Sequence, residues 1–226
     1  MDHNSERIFI ISPHYDDDVI GCGGSIALHS QKGYQVAVMY IMAGWSGVPK
    51  EPDKEKASQI RKQEAAEANK ILGVSQAYHL DVPDRSFQPK KIMLNSFIEN
   101  LRDWKPTIIY LPHKYEGDHE HKQVNEVAKE AIWLACSDYL PELGQPIPSA
   151  KLILGYEVWT PLDGYQLSRD ITPVVELKER ALKAHKSQLE ISRWDKGSLG
   201  LNAYRGVTTG KGRYVEIFTI LSMKAD

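Results

Sequence analysis

Two short segments hold most of the chemistry open to this chain. The first is His14-Tyr15-Asp16-Asp17-Asp18, an imidazole and three carboxylates in five positions, followed by the turn-forming Gly21-Cys22-Gly23-Gly24. The second, His113-Lys114-Tyr115-Glu116-Gly117-Asp118-His119-Glu120-His121, sets three imidazoles among carboxylates. A neutral imidazole with carboxylate oxygens suits Zn2+ or a similar divalent ion, and a spare carboxylate beside such an ion can take a proton from water. One aspartate at a helix start is explained by capping of backbone N–H groups and by the helix dipole. Three aspartates after a histidine exceed what a cap requires. A catalytic site would need one further nitrogen from His113, His119 or His121 and an open position; at least one of these three is expected to be an ordinary solvated loop residue.

The elements that must position these segments follow from periodicity. Runs rich in Val, Ile and Tyr predict strands over 7–12, 34–42, 76–80, 107–111, 151–158 and 214–221. Between them, apolar residues at three-to-four spacing predict helices over 19–31, 55–72, 91–104, 120–136 and 174–191. Strand–helix alternation implies an α/β chain with a Rossmann-like open, mainly parallel sheet and helices on both faces. Both histidine–carboxylate segments follow predicted strands, which puts them on the crevice side where open sheets bind ligands. The stretches 44–54 and 139–150, rich in Gly, Pro and charge, read as loops over the sheet, so one domain spanning 1–226 is expected.

Composition narrows the partners. With 42% hydrophobic and 26% charged residues the chain has ordinary globular proportions. A formal charge of -2, from 28 basic and 30 acidic residues, gives no footprint for nucleic acid or an anionic membrane. Cys22 and Cys136 lie far apart without a CxxC pair, which argues against a disulfide framework or a thiolate metal site and for a cytoplasmic protein. The polar N-terminus and the short apolar run after it resemble neither a signal peptide nor a membrane span.

The ordered motifs resemble the zinc-dependent de-N-acetylases of the LmbE-like, or PIG-L-like, family, whose opening signature is His-Pro-Asp-Asp-Glu before a glycine-rich turn. Here that signature stands as His14-Tyr15-Asp16-Asp17-Asp18. Arg61-Lys62-Gln63-Glu64 resembles the family's Arg-x-x-Glu helix, Val82-Pro83-Asp84 its Pro-Asp loop, the segment 178–188 its Lys-x-x-Ala-x-x-x-His-x-Ser-Gln stretch, and Tyr214-Val215-Glu216-Ile217-Phe218 its closing strand. The resemblance implies Zn2+, or alternatively Fe2+, held by His14, Asp17 and His121, with Asp16 as general base. Glu120 replaces the family's aspartate, and Asp118 stands where the family has a histidine with a proton-transfer or electrostatic role. That role would fall to Asp118, to His119 by a local shift, or to another group. Arg61, Arg85 and His185 are the candidates for substrate contacts. For Arg61 the competing reading is a surface ion pair with Glu64, and for His185 a packed helix residue. The implied substrate is a small N-acetylated sugar on an inositol, malate, lipid, antibiotic or sugar carrier, and a homo-oligomer is compatible with the family.

Three rival functions remain. A nucleotide-binding module would use the glycines at 21, 23 and 24 as a phosphate cradle, but adjacent carboxylates would repel phosphate, and neither GxGxxG nor GxxxxGK[ST] spacing is present. Metal-dependent phosphoester hydrolysis would use the same ligands. An idle relative that only binds metal is the third. Trp45 and Trp159 are aromatic enough to stack on a sugar, although buried packing explains them better.

Overall fold

A computed structural model describes residues 6–85 and 91–224, with the side chains of 91 and 92 outside that description. Seven strands form one sheet in the order β3-β2-β1-β4-β5-β7-β6. They are β1 (Arg7–Ser12), β2 (Gln35–Met42), β3 (Gln76–Val82), β4 (Ile108–Pro112), β5 (Leu152–Tyr156), β6 (Leu167–Asp170) and β7 (Val215–Met223). The first five pair in parallel, whereas β7 runs antiparallel to both β5 and β6. The sheet is therefore mainly parallel with an antiparallel edge.

Helices cover both faces: α1 (Asp17–Gln31), α2 (Lys54–Leu72) and α5 (Val175–Ala184) on one, α3 (Lys91–Trp104) and α4 (His119–Ala135) on the other. Alternation within β1 shows why its run is apolar throughout. Ile8 and Ile10 enter the core beneath α1 and α5, while Phe9 and Ile11 enter the core beneath α3 and α4.

Helix α1 contains a break at Cys22, with φ -144° and ψ 22°. The glycines around it serve packing. A Cβ on Gly21 would lie 2.2 Å from Cδ2 of Tyr156, and one on Gly24 would lie 2.6 Å from Cβ of Ile171. Below the break, Glu216 of β7 accepts from the Gly24 and Ser25 N–H groups at 2.8 Å each and from the Ser25 hydroxyl at 2.6 Å. Lys178 of α5, also fully buried, bonds Glu216 at 2.8 Å and donates to the Ile20 carbonyl at 2.9 Å. One buried ion pair thus satisfies both helix ends exposed by the break.

Three elements differ from the sequence expectation. The helix expected over 174–191 stops at Ala184, turns at His185 (ψ 61°) and resumes as the short α6 (Lys186–Leu189). The new start is capped from α2, where Glu64 accepts from the Ser187 N–H and hydroxyl at 2.7 Å each. Helix α7 (Trp194–Thr209) was not anticipated, because Gly197, Gly200 and Gly206 depress its intrinsic propensity. Gly206 is needed there, since a Cβ would lie 2.3 Å from the Arg213 carbonyl oxygen. The polar four-residue edge strand β6 likewise lacks an apolar signature. No helix among the described residues is long and apolar enough to cross a membrane.

Candidate metal centre and catalytic pocket

The loop leaving β1 and the loop leaving β4 emerge beside each other because β1 and β4 are neighbours in the sheet. This is the point where strand order reverses, and it opens the crevice that receives both histidine–carboxylate segments. The Ser12 hydroxyl lies 2.6 Å from the His14 carbonyl and accepts from the Asp18 N–H at 3.1 Å, which tightens the first loop. The His14 N–H donates to Asp17 Oδ2 at 2.8 Å.

Three atoms then converge. His14 Nδ1 and His121 Nε2 lie 3.2 Å apart, and each is 3.1 Å from Asp17 Oδ2. A tetrahedral ion with bonds of about 2.0–2.1 Å requires ligand separations of about 3.3 Å, so these atoms match one face of its coordination shell. The second Asp17 oxygen is buried with no hydrogen-bond partner, an expensive arrangement unless a cation sits nearby. Among the described residues this is the one cluster of at least three His, Cys, Asp or Glu side chains able to hold a metal. The donor set fits Zn2+.

Electrostatics point the same way. Burial opposes protonation of His14, yet its bonds to Asp17 and Glu120 outweigh it and push the imidazole up to about 10. His121 is pushed up to about 9, the attraction of Asp17 overcoming burial. Asp17 is held well below the usual carboxylate range by the two imidazoles despite its burial. The three together form a pocket that favours positive charge.

A carboxylate stands behind each histidine, within hydrogen-bond distance at His14 but not at His121, whose Nδ1 has no hydrogen-bond partner. His14 Nε2 lies 3.0 Å from Glu120 Oε2, and Glu120 Oε1 accepts from the Arg85 N–H at 2.5 Å. Behind His121, Glu116 Oε2 is 3.6 Å from Nδ1. Glu116 also accepts from the Val158 N–H at 2.8 Å and the Trp159 N–H at 3.1 Å. Histidine ligands are commonly oriented by such carboxylates. The motif reading named Glu120 only as a replacement and gave Glu116 no role, although both lie in the second segment.

Asp18 lies to the side. It is buried, its Oδ2 accepts from the Tyr40 hydroxyl at 3.2 Å, and burial with repulsion from Asp16 and Asp17 pushes it up to about 8. Asp16 instead lines a cavity of about 190 Å3 with His14, Arg61, Arg85, Asp118 and Trp159. Its Oδ1 accepts from Arg61 Nη2 at 2.8 Å, and no other hydrogen bond to its carboxylate is found among the described residues. The Asp84 carboxylate fixes the cavity rim by accepting from the Gly44 and Ser46 N–H groups at 2.6 Å each.

The remaining candidates divide. Arg61 is buried and turned to Asp16, so it makes no surface pair with Glu64. Arg85 is largely exposed at the rim and donates from Nη1 to Asp118 Oδ2 at 2.9 Å. Asp118 caps α4 by accepting from the Glu120 N–H at 2.8 Å; burial opposes its ionisation, but Arg85 and this N–H hold it below its ordinary value. His119 is exposed and makes no hydrogen bond among the described residues. His113 is buried, with Nε2 2.8 Å from the Thr160 carbonyl and 3.0 Å from Glu116. His185 is 2% exposed with both ring nitrogens unpartnered; burial, aided by Arg61, drives it down to about 4 against the pull of Asp16. A larger hollow of about 830 Å3 between α2 and α5 contains none of the centre's residues.

The family described as "PIG-L: GlcNAc-PI de-N-acetylase" matches residues 9–132, a span containing both segments. The chain is 26% identical over 200 residues to the diacetylchitobiose deacetylase of Thermococcus kodakarensis, covering 84% of this chain and 73% of the relative. A solved structure of N,N'-diacetylchitobiose deacetylase from Pyrococcus horikoshii superposes with a TM-score of 0.85 at 26% identity, covering 96% of this chain and 84% of that one. A relative with a different reaction in its name, the 4-oxalmesaconate hydratase of Pseudomonas putida, is 26% identical over 83% of this chain and 76% of its own length.

Proposed function

This chain belongs to the PIG-L family of de-N-acetylases, and from that premise we propose that it is a zinc-dependent hydrolase removing the acetyl group from an N-acetylglucosamine-type sugar. The observation that carries the reading is that His14, one corner of the His14–Asp17–His121 triangle, lines the same cavity as Asp16, a carboxylate anchored at one oxygen only. His14, Asp17 and His121 would hold the ion, which supplies Lewis acidity towards the acetamide oxygen and activates water.

The chain's own groups then divide the proton work. Arg61 fixes the Asp16 carboxylate through Oδ1 and leaves Oδ2 to accept the proton of the attacking water. As the water oxygen bonds to the carbonyl carbon and the C–N bond breaks, a proton must reach the leaving nitrogen. Asp118 is poorly suited to give it, being ionised against Arg85 and engaged as a helix cap, and His119 is turned to solvent. Protonated Asp16 therefore serves both steps, releasing acetate and a free amine. Arg85 is the exposed candidate at the rim, Arg61 lines the cavity while bound to Asp16, and His185, buried and outside the lining, makes no direct contact with substrate in this reading.

The test is metal analysis followed by an acetate-release screen over N-acetyl sugars. Asp16→Asn is expected to retain the ion yet lose about a hundredfold to ten-thousandfold in rate, whereas His121→Ala loses metal and rate together. Full activity in Asp16→Asn would overturn the base assignment. Water addition to an unsaturated acid, or phosphoester cleavage, without acetate release would overturn deacetylation.

A further inference from the structure

We infer that this chain associates head to tail with a second copy of itself, an aromatic knob at the end of α4 entering the hollow between α2 and α5. The inference is independent of the reaction at the metal centre. Trp133, in the last turn of α4, and Tyr139 just beyond it are 63% and 64% exposed, with ring centroids 6.0 Å apart. Two large aromatic rings left side by side in water mark a contact surface, and Trp and Tyr are the side chains that most often anchor one. Their uncovered parts amount together to about 200–300 Å2, an anchor within the roughly 800 Å2 that each partner of a stable interface buries.

The knob is held ready for a partner. The buried Arg102 guanidinium donates to the carbonyls of Leu134, Ser137, Tyr139, Leu140 and Gly144 at 2.7–3.1 Å. The segment carrying Tyr139 is therefore fixed in advance, and association need not spend free energy on ordering it. Around the rings the surface is acidic. Glu126, Glu130 and Asp138 are exposed and outnumber Lys129, and none of the four has an ion-pair partner among the described residues. Glu130 stands one helical turn from Trp133.

The hollow has the opposite character. It measures about 830 Å3, and Ile60, Ala66, Ile71 and Ala184 make up its apolar part. Of its charged lining, Glu64 is committed to Ser187 and Lys183 to Glu179. This leaves Arg180 and Lys186 against Glu67, all without ion-pair partners among the described residues. An acidic aromatic knob and a basic apolar hollow on one chain complement each other in relief and in charge, which favours a second copy over a foreign protein. Helix α4 packs in the core on one face of the sheet, and α2 and α5 pack in the core on the other. The contact therefore joins unlike surfaces, and the end copies keep a free knob and a free hollow until a ring closes.

Sedimentation velocity of the intact protein at about 100 µM, above the micromolar-to-picomolar Kd range of such interfaces, should show assemblies of two or more chains. Trp133→Lys removes the knob, and Ala66→Glu puts bulk and acid into the hollow. Both positions are exposed, and far-ultraviolet dichroism with urea unfolding checks that the variants fold. Each should weaken association about thirtyfold or more, as loss of an interface anchor does. Arg180→Glu serves as a second hollow variant if Ala66→Glu disturbs α2. Mixed in equal amounts, Trp133→Lys and Ala66→Glu should form a one-to-one dimer, because each keeps the half that the other lacks. A contact between like surfaces would give no such recovery. A wild type that stays monomeric, variants that associate as wild type does, or a mixture that stays monomeric overturns the inference.

Discussion

The buried Lys178–Glu216 pair offers a sharp test of how this fold holds its first segment. In Lys178→Met the ammonium is removed, but Glu216 keeps the Gly24 N–H, the Ser25 N–H and the Ser25 hydroxyl, and the Ile20 carbonyl keeps the Ser198 hydroxyl at 3.0 Å. The loss should sit near the low end of the range for breaking a buried pair, about 3 kcal/mol. In Glu216→Gln the damage is greater, because Lys178 becomes an unpaired buried charge and an amide N–H2 replaces an acceptor among donors, giving about 4–5 kcal/mol. The double variant removes the stranded charge and should be no worse than Glu216→Gln alone, a coupling of about 3 kcal/mol. Urea unfolding with the slope compared across variants measures all three; the Lys178→Met loss should lower Tm by about 6–12 °C in a chain of this size. Additive single and double losses, or a Lys178→Met loss under about 0.5 kcal/mol, would refute the reasoning.

Two further outcomes concern the metal centre. Glu116→Gln should weaken zinc binding by about tenfold to a hundredfold, since the carboxylate facing His121 Nδ1 is lost, and a chelator competition that finds equal affinity would exclude this role. Zinc affinity should also rise with pH: His14, pushed up to about 10, and His121, up to about 9, prefer protons in the metal-free centre. The 3.2 Å contact between their nitrogens has room for one shared proton, so each zinc should displace about one, and Kd should tighten about tenfold per pH unit from 6 to 8. A pH-independent Kd would contradict this proton competition.

Much of the sheet was legible because β1, β2 and β4 are buried on both faces and read as uninterrupted apolar runs. The meeting of the two histidine–carboxylate segments was legible too, since each follows a strand of the same parallel sheet, whereas His121, 107 positions from His14, was singled out from His113 and His119 only by the family resemblance. Periodicity fails where tertiary partners override it. Arg61 shares a helical turn with Glu64, yet the two face different clients, Asp16 and Ser187, that only the folded chain brings near. Helix α7 was hidden by its glycines, and with it the Trp159–Trp194 pair, because no local pattern reports that two indoles will touch. Glu116 was visible as a residue but not as a support, since its role lies in backbone N–H groups more than forty positions away.

Asp84, Glu116 and Glu216 share one habit: each buried carboxylate grips two backbone N–H groups of a distant segment, at Gly44 and Ser46, Val158 and Trp159, and Gly24 and Ser25. In effect the chain uses charged side chains as rivets where regular ladders end. The crevice is then walled by segments nearly as fixed as the strands below them. Such a mouth favours substrates that already have the right shape, because little of the binding energy is diverted to folding a lid.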